Sequence, residues 1–134
     1  MSVSTVPGPM MTHFRVSVPQ EYCVVKGEGD RGPWKVHTVR YIYALLTDEG
    51  QEIFAYHWHP DGRSPITTPH FQFGAGAGVQ LVEARKAHFP TRRIALEEFL
   101  RCAIRDFGMV ARRDDWDAVL RRTQDALEQW RTWG

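Results

Sequence analysis

The stretch that decides the fold is Trp34-Lys35-Val36-His37-Thr38-Val39-Arg40-Tyr41-Ile42-Tyr43-Ala44-Leu45-Leu46-Thr47-Asp48-Glu49-Gly50-Gln51-Glu52-Ile53-Phe54-Ala55-Tyr56-His57-Trp58-His59. Both ends are rich in β-branched and aromatic residues, which suit strands, and turn formers separate them. The pattern predicts strands over 34–46 and 52–59. A three-residue hairpin loop puts its last residue in the left-handed region, where glycine costs least, and Gly50 stands there. With Thr47 facing Gln51, the register pairs Tyr43 with Ala55 and Tyr41 with His57.

Strand period two then sorts the side chains. Phe54, Tyr56 and Trp58 share one face, and His57 and His59 share the other. A third strand is expected over 67–73, before the soft segment Gly74-Ala75-Gly76-Ala77-Gly78, and a fourth from 79 to about 84. Phe71 and Phe73 join the apolar face. His70 and Gln72 join the polar one, with Tyr41 and Tyr43 alongside in the expected register. Upstream, a short strand is expected over 14–18, stopped by Pro19, and an apolar piece over 22–26. Residues 27–33 carry enough glycine and proline to form a loop. Residues 1–12 read as a flexible arm of one domain spanning 1–134.

The last third reads as helical. Leu96, Phe99, Leu100, Ala103 and Phe107 recur at three- and four-residue spacing within 94–107, and Gly108 follows as the residue after the helix end. Asp114 is expected to cap a second helix over 114–130, with Asp115 and Asp117 in its first turn. The stripe of that helix is Trp116, Val119, Leu120, Thr123, Leu127 and Trp130, whereas Trp133 is expected to be exposed. The expected fold class is α+β: a small antiparallel meander, then two C-terminal helices packed on its aromatic face.

Composition sets the outer bounds. Of 134 residues, 43% are hydrophobic and 25% charged, which excludes a wholly disordered, collagen-like or coiled-coil chain. No apolar run approaches the roughly 18–20 residues of a membrane span. The start lacks the basic and apolar regions of a signal peptide, and two cysteines are too few for a disulfide scaffold, so a cytoplasmic protein is expected. A net charge of +1 gives weak overall steering toward nucleic acid. Arginine outnumbers lysine 14 to 3, and the excess positive charge falls after Arg85. Genome base composition accounts for that bias as readily as phosphate binding does.

Chemistry gathers on the histidines. His57 and His59 form a His-x-His on one strand, pointing the same way as neighbouring metal ligands would, and His70 on an adjacent strand could complete three nitrogens. Histidines on a half-exposed sheet face account for the pattern without an ion, so no metal or cofactor is assigned. Without one, His57 or His70 serves as general acid or base, because imidazole titrates near neutrality. Tyr41 or Tyr43 orients substrate, and Arg40 or Arg92 meets a phosphate's developing charge. That set suits RNA cleavage. Ordinary cross-strand pairing of the same residues is the competing explanation.

Tyr41-x-Tyr43, the Asp48-Glu49-Gly50 turn, Tyr56, Pro69-His70-x-Gln72 and Ile94-Ala95-Leu96-Glu97-Glu98-Phe99 occur in one order. Together they resemble the plan of small TumE-type toxin components of bacterial toxin–antitoxin pairs. The plan is also similar to short bacterial proteins with a Pro-His-x-His segment and a late Asp-Trp, which is Asp115-Trp116 here. The resemblance spans about residues 36–120. It departs at His57-Trp58, where the family has Asp-Asn, at Gln72 in place of a second histidine, and at Ala95 in place of a Ser/Thr cap. Tyr56 and His70 are the functional positions that carry over.

Two functional classes follow. One is a toxin-like enzyme acting on RNA, with His57, His70, Tyr41 and Tyr56 catalytic and His59, Gln72 and Arg92 binding. Its expected protein partner is an antitoxin. The other is a non-catalytic interaction module or accessory subunit of a larger bacterial complex, which binds another protein through the same face or through the Arg-rich helices, with Arg112 and Arg113.

Overall fold

Trp34–Thr47, the longest strand, is the spine of an antiparallel sheet in the computed structural model, which describes residues 13–29 and 32–131. We number the strands β1 (Phe14–Ser17), β2 (Gln20–Lys26), β3 (Trp34–Thr47), β4 (Glu52–Trp58), β5 (His70–Phe73) and β6 (Phe89–Pro90). β1 and β2 lie end to end along one side of β3, and β4, β5 and β6 follow in order on the other. Three helices complete the α+β fold: α1 (Val82–Lys86), α2 (Leu96–Arg105) and α3 (Trp116–Trp130). None of the described helices is long and apolar enough to cross a membrane. The arm at 1–12 and the exposure of Trp133 lie outside the described residues.

The β3–β4 register differs from the expected one by a single residue. The turn itself forms as expected: the Thr47 N–H donates to the Gln51 carbonyl at 2.8 Å, and Gly50 adopts φ 88°. Leu46 then faces Glu52, but Leu45 faces Phe54, so Ile53 is an extra residue bulging from β4. Its carbonyl accepts the Gly74 N–H at 2.9 Å instead of a β3 partner. A one-residue slip moves every later partner to the other face. Tyr43 therefore pairs with Tyr56 and Tyr41 with Trp58. Both Tyr41 and Tyr43 lie buried on the apolar face, away from the histidines.

Downstream, the expected third strand is shorter and the expected fourth is absent. β5 begins at His70, and the segment expected to be a strand over 79–84 enters α1, with the two-residue β6 pairing to β5 instead. The glycine-rich segment is a 3-10 turn over Ala75–Ala77 packed against the turn end of the hairpin, at Thr47, Gln51 and Glu52. A Cβ on Gly74 would stand 2.2 Å from the Glu52 carbonyl oxygen, so the close approach requires glycine there.

The core forms where α2 crosses the apolar face. Phe99 and Ala103 meet Tyr41, Tyr43, Leu45 and Phe54, all buried. The Arg93 guanidinium stacks 3.6 Å over the Trp58 ring, and the Tyr41 hydroxyl accepts the Ile94 N–H at 3.0 Å, which fixes where α2 starts. The two C-terminal helices follow the sheet as expected, with α2 making the closer contact to it. α3 packs on α2, where Arg101 reaches Asp117 and Gln124, and it contains no fully buried residue. Trp116 is half-buried beside Leu100 and Ile104 of α2, and Trp130 is exposed. The capping residue of α3 is Asp115 rather than Asp114, and its carboxylate bonds Arg113 instead of a helix N–H.

Candidate metal centre

Strand period and register bring three histidines to one place on the face opposite the core. His57 lies on β4 directly across from His70 on β5, with ring centroids 5.3 Å apart. His59 follows two residues after His57, its ring 5.7 Å from His57 and 5.9 Å from His70. One nitrogen from each of the three lies within 4.8 Å of the others. Nitrogens bound to one tetrahedral ion at 2.0–2.1 Å stand about 3.3 Å apart, so small side-chain rotations close the set. His88, just before β6, adds a fourth ring 5.0 Å from His70.

Local structure orients these rings. His70 is buried, and its Nδ1 lies 2.9 Å from the Thr68 carbonyl oxygen. A carbonyl only accepts, so Nδ1 carries a proton, and Nε2 is the nitrogen that would face a metal ion. His59 is held by the turn His59-Pro60-Asp61-Gly62, in which the Gly62 N–H donates to the His59 carbonyl at 3.1 Å. A Cβ on Gly62 would lie 2.8 Å from His59 Nδ1, so this turn has room for the imidazole only with glycine. His57 Nε2 is buried without a hydrogen-bond partner.

Electrostatics keep His57 neutral. Burial, and then the neighbouring His70, His59 and His88, push the His57 pKa down to about 4. His57 is therefore uncharged at neutral pH and a poor proton acceptor there.

The other expected site residues do not join this group. Tyr41, whose hydroxyl anchors α2, is on the far side of the sheet; Tyr56 packs there too, its ring 5.2 Å from Phe71. Burial raises the pKa of both phenols. Gln72 shares the histidine face but donates to Glu52 at 3.4 Å. Arg92 pairs with Glu98 at the start of α2. Arg112 and Arg113 lie in the α2–α3 connection. His88 belongs with the clustered histidines by sequence proximity, and the fold adds Gly62 and the Thr68 carbonyl, which the sequence reading did not place in a site. The His-Pro-Asp-Gly turn was the signal for Gly62.

A recess of about 470 Å³ opens beside His59. Pro19, Ile42 and Gly62 line it with the ion pair Arg40–Glu21, whose N–O distance is 2.8 Å. No family model, curated protein or solved structure matches the chain.

Proposed function

We propose that the protein holds one divalent late-transition-metal ion, zinc by preference, on His57, His59 and His70, and works through the ion's open coordination position. The convergence of three imidazole nitrogens within 4.8 Å carries this reading. It also gives the buried His57 Nε2 a partner, which an unpaired buried nitrogen otherwise lacks at a cost. Three protein ligands with a position left open are the arrangement of catalytic rather than structural zinc. Such an ion lowers the pKa of bound water to about 7 and polarises a bound oxygen, so the chemistry it suits is metal-assisted hydrolysis.

A toxin-like role on RNA is compatible with that chemistry, but a metal-free acid–base mechanism has little support. Tyr41 and Tyr56 are across the sheet, and His57 is a weak base. One observation favours a second reading, the interaction module. An apolar groove between α2 and α3 is lined by Leu100, Ile104, Trp116 and Leu120 with Arg112 and Arg113 at its rim, which suits an amphipathic helix bearing acidic residues.

The test of the metal centre is titration of tag-free, metal-stripped protein with Zn²⁺ or Co²⁺. One equivalent should bind. His57→Ala, His59→Ala and His70→Ala should each cost more than the roughly 10–100-fold that follows loss of an outer-shell partner. Uptake that none of the three substitutions alters would sink the reading.

A further inference from the structure

The recess beside His59 has a chemistry of its own. We propose that it receives a small carboxylate-bearing molecule, with an oxygen toward the ion's open position and a carboxylate on the Arg40 guanidinium. The proposal rests on the histidines being a metal centre, and four observations carry it beyond that. First, His59 belongs to both the cluster and the recess wall, so the recess adjoins the cluster at that ring. Second, about 470 Å³ falls within the roughly 300–1,000 Å³ typical of small-molecule sites.

Third, charge selects an anion. The cluster is built from histidines with no carboxylate among them, so a bound divalent ion keeps its full charge. Arg40 and Glu21 on the recess wall cancel one another, which leaves the loaded site positive. Fourth, Arg40 already presents its Nε edge to a carboxylate, that of Glu21, and both side chains are about half exposed. An incoming carboxylate can take the place of Glu21 at the same donor with little rearrangement. A guanidinium fork matches that group in a way a point charge does not. Ile42 and Pro19 supply apolar surface for a short aliphatic body.

The experiment uses cobalt-loaded full-length protein, with succinate and inorganic phosphate as probes and the cobalt visible spectrum as readout. Succinate should change the spectrum saturably. Arg40→Gln should weaken that binding by about tenfold, the scale of one lost charge-assisted hydrogen bond, without altering cobalt uptake. Glu21→Gln, which frees Arg40 from its internal competitor, should tighten it. Equal succinate binding in wild type and Arg40→Gln would overturn the inference and leave the metal centre standing, as would a response to phosphate alone. Failure of the protein to take up cobalt would remove the centre, and the inference with it.

Discussion

His57 carries the sharpest tension at the scale of single residues. Its ring is drawn into a half-buried position among three other imidazoles, and its Nε2 has no partner. An arrangement like this costs stability unless something else uses the nitrogen. A leucine there would remove the unpaired polar atom and retain apolar bulk against Ile42, the residue opposite on β3. His57→Leu should therefore raise the stability of the metal-free protein by about 1 kcal/mol while abolishing metal uptake. Thermal melting of the stripped protein, paired with zinc titration, checks both halves. A destabilised variant would mean that the imidazole has a structural role in the empty fold.

Elements show where physical pattern was readable and where it was not. Period two over 54–58 and three-to-four spacing over 96–107 each repeat several times, so β4 and α2 were legible, as was the sharing of one face by His57, His59 and His70. The bulge at Ile53 is a single event with no repeat to reveal it. Ile53 is as good a strand former as its neighbours, and its carbonyl accepts the Gly74 N–H, a contact 21 residues away that local sequence does not announce. That one residue moved Tyr41 and Tyr43 from the expected site into the core. The α3 stripe was also legible, but periodicity reports an apolar face without naming what covers it. The start of α2 offers a test of such local chemistry. Ala95 has no side-chain acceptor, so Glu98 closes only half of a capping box, accepting the Ala95 N–H at 2.7 Å and pairing with Arg92. Burial alone would raise the Glu98 carboxyl pKa, but the Arg92 and Ala95 bonds outweigh it and hold the group below its usual value. A carboxyl depressed in the folded state stabilises fully above its unfolded pKa and loses that contribution as pH falls through the folded value. Glu98→Gln should cost about 0.5–1 kcal/mol at pH 7, the range of a helix cap. The gap from wild type should close as pH falls through the depressed folded-state pKa, and denaturant melts at neutral and acid pH read it; a gap independent of pH would assign the loss to packing.

For the whole molecule, the two faces of one sheet separate the packed core from the proposed metal centre. The apolar face holds Phe99 and Leu45 out of solvent and needs no ligand. The histidine face ties together β4, the turn at 59–62 and β5, and β5 is only four residues long with the two-residue β6 beyond it. An ion held there cross-links the sheet's thinner side, so binding and folding are coupled. At a free zinc concentration of one hundred times Kd, the linkage contributes about 2.7 kcal/mol. For a chain of this size that corresponds to a rise in melting temperature of roughly 10 °C. The rise should disappear on chelation and be absent in His70→Ala, whereas Arg112→Glu with Arg113→Glu, remote on the α2–α3 connection, should retain it. Equal shifts in wild type and His70→Ala would place the bound zinc elsewhere on the chain.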